Sequence, residues 1–136
     1  MTPPIRYTVR FNATARDLYN LYVNPKLHAT FTGTPVKISA RPNSKFSAFG
    51  GQIWGVMLYT DPGKLIVQRW RSTHFEESDT DSILILKFTD EPKRGRIDLV
   101  HINVPKQDHD GVTKGWEKHY WRPMRAYLKK TNPSAR

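Results

Sequence analysis

The sequence has 136 residues, enough for one domain with a buried core and too few for two domains of ordinary size. It contains no cysteine, which excludes disulfides, thiolate metal sites and cysteine nucleophiles. With 22 Lys and Arg against 12 Asp and Glu it carries a net charge of +10, which points to an anionic partner such as an acidic protein surface or nucleic acid. In chain order, Met1-Thr-Pro-Pro-Ile5 has no apolar h-region, so no secretory leader is expected and a cytoplasmic location is. Ile5, Tyr7, Val9 and Phe11 alternate with Arg6, Thr8 and Arg10, the period of a half-buried strand. Thr14-Ala-Arg-Asp17 reads as a capping box with Asp in place of Glu; the helix it opens carries Leu18, Leu21 and Tyr22 and ends at Asn24-Pro25. Pro25 opens a second short helix with Leu27, His28 and Phe31, stopped by Gly33. Strands are predicted over 36–41, 45–50, 52–59, 64–73, 82–89 and 95–104, separated by turn signals such as Asp61-Pro62-Gly63 and Pro92 to Gly95. Pro105 to Gly115 reads as a polar loop. Trp116 to Lys130 is the last helix, with Trp116, Tyr120, Met124 and Tyr127 on one stripe and Pro123 expected to kink it near His119.

Short turns between strands favour an antiparallel meander. A curved antiparallel sheet with one long amphipathic helix across its concave face accommodates every element, which is the α+β helix-grip arrangement. The whole chain, 1–136, reads as a single domain with its core over about 5–130 and a flexible tail at 131–136. No apolar run exceeds four residues, as in Ile83 to Leu86, so no membrane span is expected.

Period-two arithmetic assigns the two faces of the sheet. The concave phase takes Phe46, Ile53, Ile66, Gln68, Trp70, Leu84, Leu86, Phe88, Ile97, Leu99 and His101, and the helix adds Trp116, Tyr120, Met124 and Tyr127. Of these, Phe46, Ile53, Gln68, Trp70, Phe88, Leu99, His101 and the four helical residues are candidate cavity-lining side chains; the plainer reading is that most of them are core. The large aromatics leave little room for a lipid. Gln68, His101 and Tyr120 are inward polar groups that either orient a small ligand or satisfy one another. The convex phase has Gln52, Trp54, Val56 and Leu58 on one strand, Leu65 and Val67 on the next, and Ile83 and Ile85 on another. Polar residues are expected on a solvated face, so these strands are apolar on both sides, and Trp54, Val56, Ile83 and Ile85 are expected to be covered by a partner or a second copy of the chain; coverage by the chain's own termini and a one-residue slip that swaps the faces are the alternatives. Arg69, Arg71 and Lys87 share that phase and are the candidate basic contacts for an acidic partner.

Catalytic signals are weak. The five histidines lack metal-ligand spacing, and Asp108-His109-Asp110 reads as a solvated turn rather than a metal site. No nucleophile elbow or phosphate loop appears, and Glu76 to Asp81 reads as a solvated acidic loop. A non-enzyme without cofactor or metal is the expectation. The basic residues are spread and no arm interleaves Arg with Gly or Ser, so nucleic-acid binding ranks below an acidic protein partner.

The order of elements resembles the START-like (SRPBCC, Bet v 1-like) superfamily. Narrower blocks are Asn24-Pro25 with Phe31, Lys45-Phe46, Gly51-Gln-Ile53-Trp-Gly55, Lys64-Leu-Ile66-Val67-Gln-Arg69-Trp70-Arg71, Leu86-Lys-Phe88, Val104-Pro105, and Gly115-Trp116 with His119-Tyr120. In order and spacing, over about residues 10–128, they resemble the C-terminal domain of the activators of the ninety-kilodalton heat-shock chaperone ATPase. The resemblance implies a co-chaperone domain that contacts the nucleotide-binding region of heat-shock protein 90 and favours its closed, ATP-hydrolysing state. The N-terminal domain of the two-domain activators is expected to be missing, so strong stimulation by this chain alone is not expected. The alternative from the superfamily is a carrier of a small hydrophobic ligand.

Overall fold

The structure, a computed structural model, describes residues 2–132. Strand β1 (Ile5–Phe11) leads into α1 (Ala15–Val23) and α2 (Pro25–Thr32). The Thr14 side chain accepts from the Asp17 amide at the α1 N-cap, and Asn24 does the same for Leu27 at α2, where Pro25 supplies the first turn. Gly33, at φ 81°, closes α2 in the left-handed conformation that a side chain disfavours. Strands β2 (Lys45–Ala48), β3 (Ile53–Asp61), β4 (Leu65–Ser72), β5 (Ser82–Glu91) and β6 (Arg94–Ile102) complete one antiparallel sheet in the order β1-β6-β5-β4-β3-β2. The C-terminal helical segment is α3 (Lys106–Trp116), a π-helical turn over Glu117–Trp121 and α4 (Arg122–Thr131). This is the expected helix-grip arrangement.

Two expectations are corrected, and a third takes a specific form. Residues 36–41 are not a strand; Lys37 makes a lone bridge to Ser47, and Pro35 and Pro42 limit further pairing because neither has an amide to donate. The polar loop over Pro105 to Gly115 is instead the helix α3, which buries Asp108, Val112 and Trp116 on one face. The expected kink near His119 is a π-turn, in which the Arg122 amide bonds to the carbonyl of Glu117, five residues back. Pro123 has no amide to return to His119, so the regular ladder already lacks a bond at this point. The extra residue turns both Tyr120 and Trp121 into the core, 6% and 2% exposed. Thr131 ends α4; residues 133–136 of the expected tail lie outside the described residues.

The core lies between the sheet's concave face and the helices. Ile66, Leu84, Leu86 and Leu99 are almost wholly buried, and each contributes roughly 2 kcal/mol of hydrophobic stabilisation. Gly55 in β3 lets the strands close, since an added Cβ would run into the carbonyl of Arg69 and come within 2.8 Å of the Phe46 ring.

Candidate functional site

Two surfaces stand out, one inside the grip and one outside. At the end of the sheet where β3 begins and β4 ends, a cavity of about 450 Å³ opens to solvent. Phe49 lines it from the turn before β3, Ile53 from the start of β3, Trp70 and Ser72 from β4, and Gly111, Val112, Gly115 and Trp116 from α3; His119 and Tyr120 come from the π-turn. Phe49 sits at φ 53°, left-handed backbone that costs an aromatic residue about 1–2 kcal/mol, and its ring lies 5.3 Å from that of His119.

Of the side chains expected to line a cavity, Ile53, Trp70, Trp116 and Tyr120 line this one. Phe46, Gln68, Phe88, Leu99, His101 and Met124 are not among its lining residues and are packed in the core, and Tyr127 is half-buried against that core. The reason is volume: Trp116 lies 4.7 Å from Tyr120 and 5.7 Å from Trp121, ring to ring, so indoles fill the deep interior and leave space only at its end.

The inward polar groups form hydrogen-bonded sets that fix their tautomers. The Trp116 indole N–H donates to His101 Nδ1 at 3.2 Å; His101 Nε2–H therefore donates to Ser82 Oγ at 2.9 Å, and the Ser82 hydroxyl donates to the Trp70 carbonyl. His28 Nδ1–H donates to the Tyr22 carbonyl at 2.8 Å, and Nε2 accepts from the Tyr120 hydroxyl at 2.9 Å. Burial pushes His101 down to about 3 and His28 down to about 4, and raises Tyr120 and Tyr22 above the usual phenol range. The Tyr22 hydroxyl donates to Gln68 Oε1, while Gln68 Nε2 is buried without a partner.

Sequence reasoning missed Asp108. The residue is 6% exposed and accepts from the Ser72 hydroxyl at 2.5 Å, so it is no solvated turn. The available signal was Pro105 followed three residues later by an acid, with Val112 and Trp116 at helical spacing beyond. Gly111 and Gly115 masked it, because both are poor helix formers.

On the convex face the register aligns Val56, Arg69, Ile83 and Ile102 in one row across β3 to β6. The next row is Tyr59, Val67, Ile85 and Val100, and the third is Asp61, Leu65, Lys87 and Asp98. A β-bulge between Met57 and Tyr59 displaces Leu58 and puts Tyr59 opposite Val67, an irregularity that period-two counting could not see. Trp54, Tyr59 and Ile102 are 38%, 51% and 37% exposed. Val56, Ile83 and Ile85 are half-buried. Arg71 does not stand free: its guanidinium bonds to Asp81 and to the carbonyls of Asp79 and Glu76, and lies over the Phe75 ring. Arg69 lies 3.7 Å from Asp81 with its side chain 47% exposed. Lys87 is exposed and makes no ion pair among the described residues.

A six-stranded antiparallel sheet holding a long C-terminal helical segment in its concave face defines a helix-grip domain of the START-like class. The match to the family model described as Activator of Hsp90 ATPase homolog 1-like protein runs over residues 12–129, and the chain belongs to that family. It is 25% identical over 118 residues to the activator of 90 kDa heat shock protein ATPase homolog of Dictyostelium discoideum, covering 87% of this chain and 31% of that protein. It is 23% identical to homolog 1 of Homo sapiens, covering 90% of this chain and 37% of that protein. The chain thus spans about a third of the length of these curated relatives. The fold is shared with an HSP90 activator from Plasmodium falciparum, with a TM-score of 0.85 at 18% identity over 93% of this chain and 96% of the other. An Aha1 dimer from Colwellia psychrerythraea gives a TM-score of 0.77 at 10% identity over 91% of this chain and 94% of that one.

Proposed function

We propose that this domain is a docking module for the heat-shock protein 90 chaperone, acting as a regulator that favours the chaperone's closed, ATP-hydrolysing state rather than as a catalyst. Family membership supports the partner; the observation that carries the surface is the convex sheet face. Its rows place apolar side chains on four adjacent strands, with Arg69 and Lys87 among them. Such a face fits a partner with an apolar patch flanked by acids, where complementary charge speeds encounter and fixes orientation. Arg71 contributes by bracing the acidic loop rather than by contact, so it is left intact in the test.

The test is the affinity of the full chain for the chaperone across salt concentrations, with Arg69→Glu plus Lys87→Glu. The expected result is binding weakened about tenfold, with a flatter salt dependence. Unchanged affinity in a folded double variant rejects this face. A second reading, self-association through the same face, draws on the dimer formed by the Colwellia protein of the same fold. Sedimentation of the chain with Tyr59→Glu separates the two: loss of a dimer with chaperone binding retained favours self-association.

A further inference from the structure

The pocket at the end of the grip has chemistry that chaperone docking on the opposite face does not use. Asp108 is a carboxylate with 6% exposure, and buried acids are ordinarily paired with a base. Here Oδ2 accepts from the Ser72 hydroxyl, Oδ1 has no hydrogen-bond partner among the described residues, and no described Lys, Arg or His nitrogen lies within ion-pair distance. Gly111 leaves that free oxygen uncovered, for a Cβ there would sit 3.5 Å from it. Trp70, Trp116, Tyr120 and Phe49 line the same cavity as Asp108. The Trp116 N–H is committed to His101 and the Tyr120 hydroxyl to His28, so these rings offer the pocket their aromatic surface rather than a donor. A cavity lined by aromatic rings and by an unpaired carboxylate is the complement of an aryl-alkylammonium group, whose cation gains from the anion and from any ring face it reaches. The volume, about 450 Å³, lies within the range of small-molecule sites.

We infer that this pocket binds a small organic cation, an aryl-alkylamine, with its ammonium on Asp108 Oδ1 and its ring against Trp70, Trp116 and Phe49. This site is independent of the docking face, and neither needs the other to be correct. Partial burial and the neighbouring Lys118 hold His119 below its ordinary pKa, so at neutral pH it adds little competing positive charge to the rim.

The experiment is an NMR titration of the full chain at pH 7 with three probes of one shape: phenethylammonium, 2-phenylethanol and 3-phenylpropionate. The amides of Gly111 and Gly115 and the Trp70 and Trp116 indoles report on the pocket. Phenethylammonium is expected to bind about tenfold or more tightly than either other probe. Asp108→Asn still offers an oxygen to Ser72 but removes the charge, and is expected to abolish that preference. Gly111→Ala is a second variant that guards against a fold defect: it favours the helix, so its melting temperature does not fall, while its methyl shields Oδ1 and weakens cation binding. Equal affinity for the three probes, a preference that survives in Asp108→Asn or Gly111→Ala, or no shifts at these signals with about 10 mM of any probe overturns the inference.

Discussion

His28 and His101 each hold a neutral ring between a donor and an acceptor in the core, and this ties stability to pH. Both titrate lower in the folded state than the ordinary value near 6.5, at about 4 and about 3, so between pH 6.5 and 4 the unfolded chain binds more protons. Stability is therefore complete above pH 7 and falls as the pH drops through this window. Urea unfolding at pH 7 and pH 5 is expected to differ by about 2 kcal/mol for each histidine. The double variant His28→Gln, His101→Gln, less stable at pH 7, should show a flatter dependence; an unchanged slope contradicts the assignment. Gln68 gives a second test at this scale. Gln68→Leu alone leaves the buried Tyr22 hydroxyl without its acceptor and should cost about 1–3 kcal/mol. Adding Tyr22→Phe should recover most of the loss, because both orphaned groups are then gone, and thermal melts of the two variants decide it.

Among the elements, the close approach of β3 to both β2 and β4 depends on Gly55. Gly55→Ala places a methyl against the Arg69 carbonyl and the Phe46 ring, and should destabilise by about 2 kcal/mol in chemical denaturation. A neutral effect would mean that β3 shifts away from its neighbours more easily than this packing allows. The π-turn is held by burial of Trp121, Met124 and Leu128 as well as by Pro123, so Pro123→Ala should shift stability by less than about 1 kcal/mol. The elements also show what a sequence reveals. β1, α1, α2 and β3 to β6 were legible because their periods were clean and Thr14, Pro25 and Gly33 marked ends. Lys106 to Gly115 was not, because its polar run and two glycines outweigh one acid near the start. Segment 36–41 looked like a strand locally, but pairing is a tertiary matter. The pocket was half legible: Ile53, Trp70, Trp116 and Tyr120 follow from phase, whereas Asp108 and Phe49 depend on a missed helix and on a left-handed turn.

At the scale of the molecule, the sheet separates two roles. Its concave side is committed to the core and to the pocket at one end, while its convex side leaves Trp54, Tyr59 and Ile102 exposed on a chain of net charge +10. The Met57–Tyr59 bulge changes which side chain that face presents, since it puts Tyr59 where alternation alone predicts Leu58, in the row of Val67, Ile85 and Val100. The central claim is that this face meets the chaperone. Cross-saturation NMR tests it most directly, with the deuterated, nitrogen-15-labelled chain bound to unlabelled full-length heat-shock protein 90. The account predicts intensity loss at the amides of Val56, Tyr59, Val67, Arg69, Ile83, Ile85 and Lys87, with α3 and α4 spared. Loss confined to α4 or the pocket rim, or none at saturating chaperone, would contradict it.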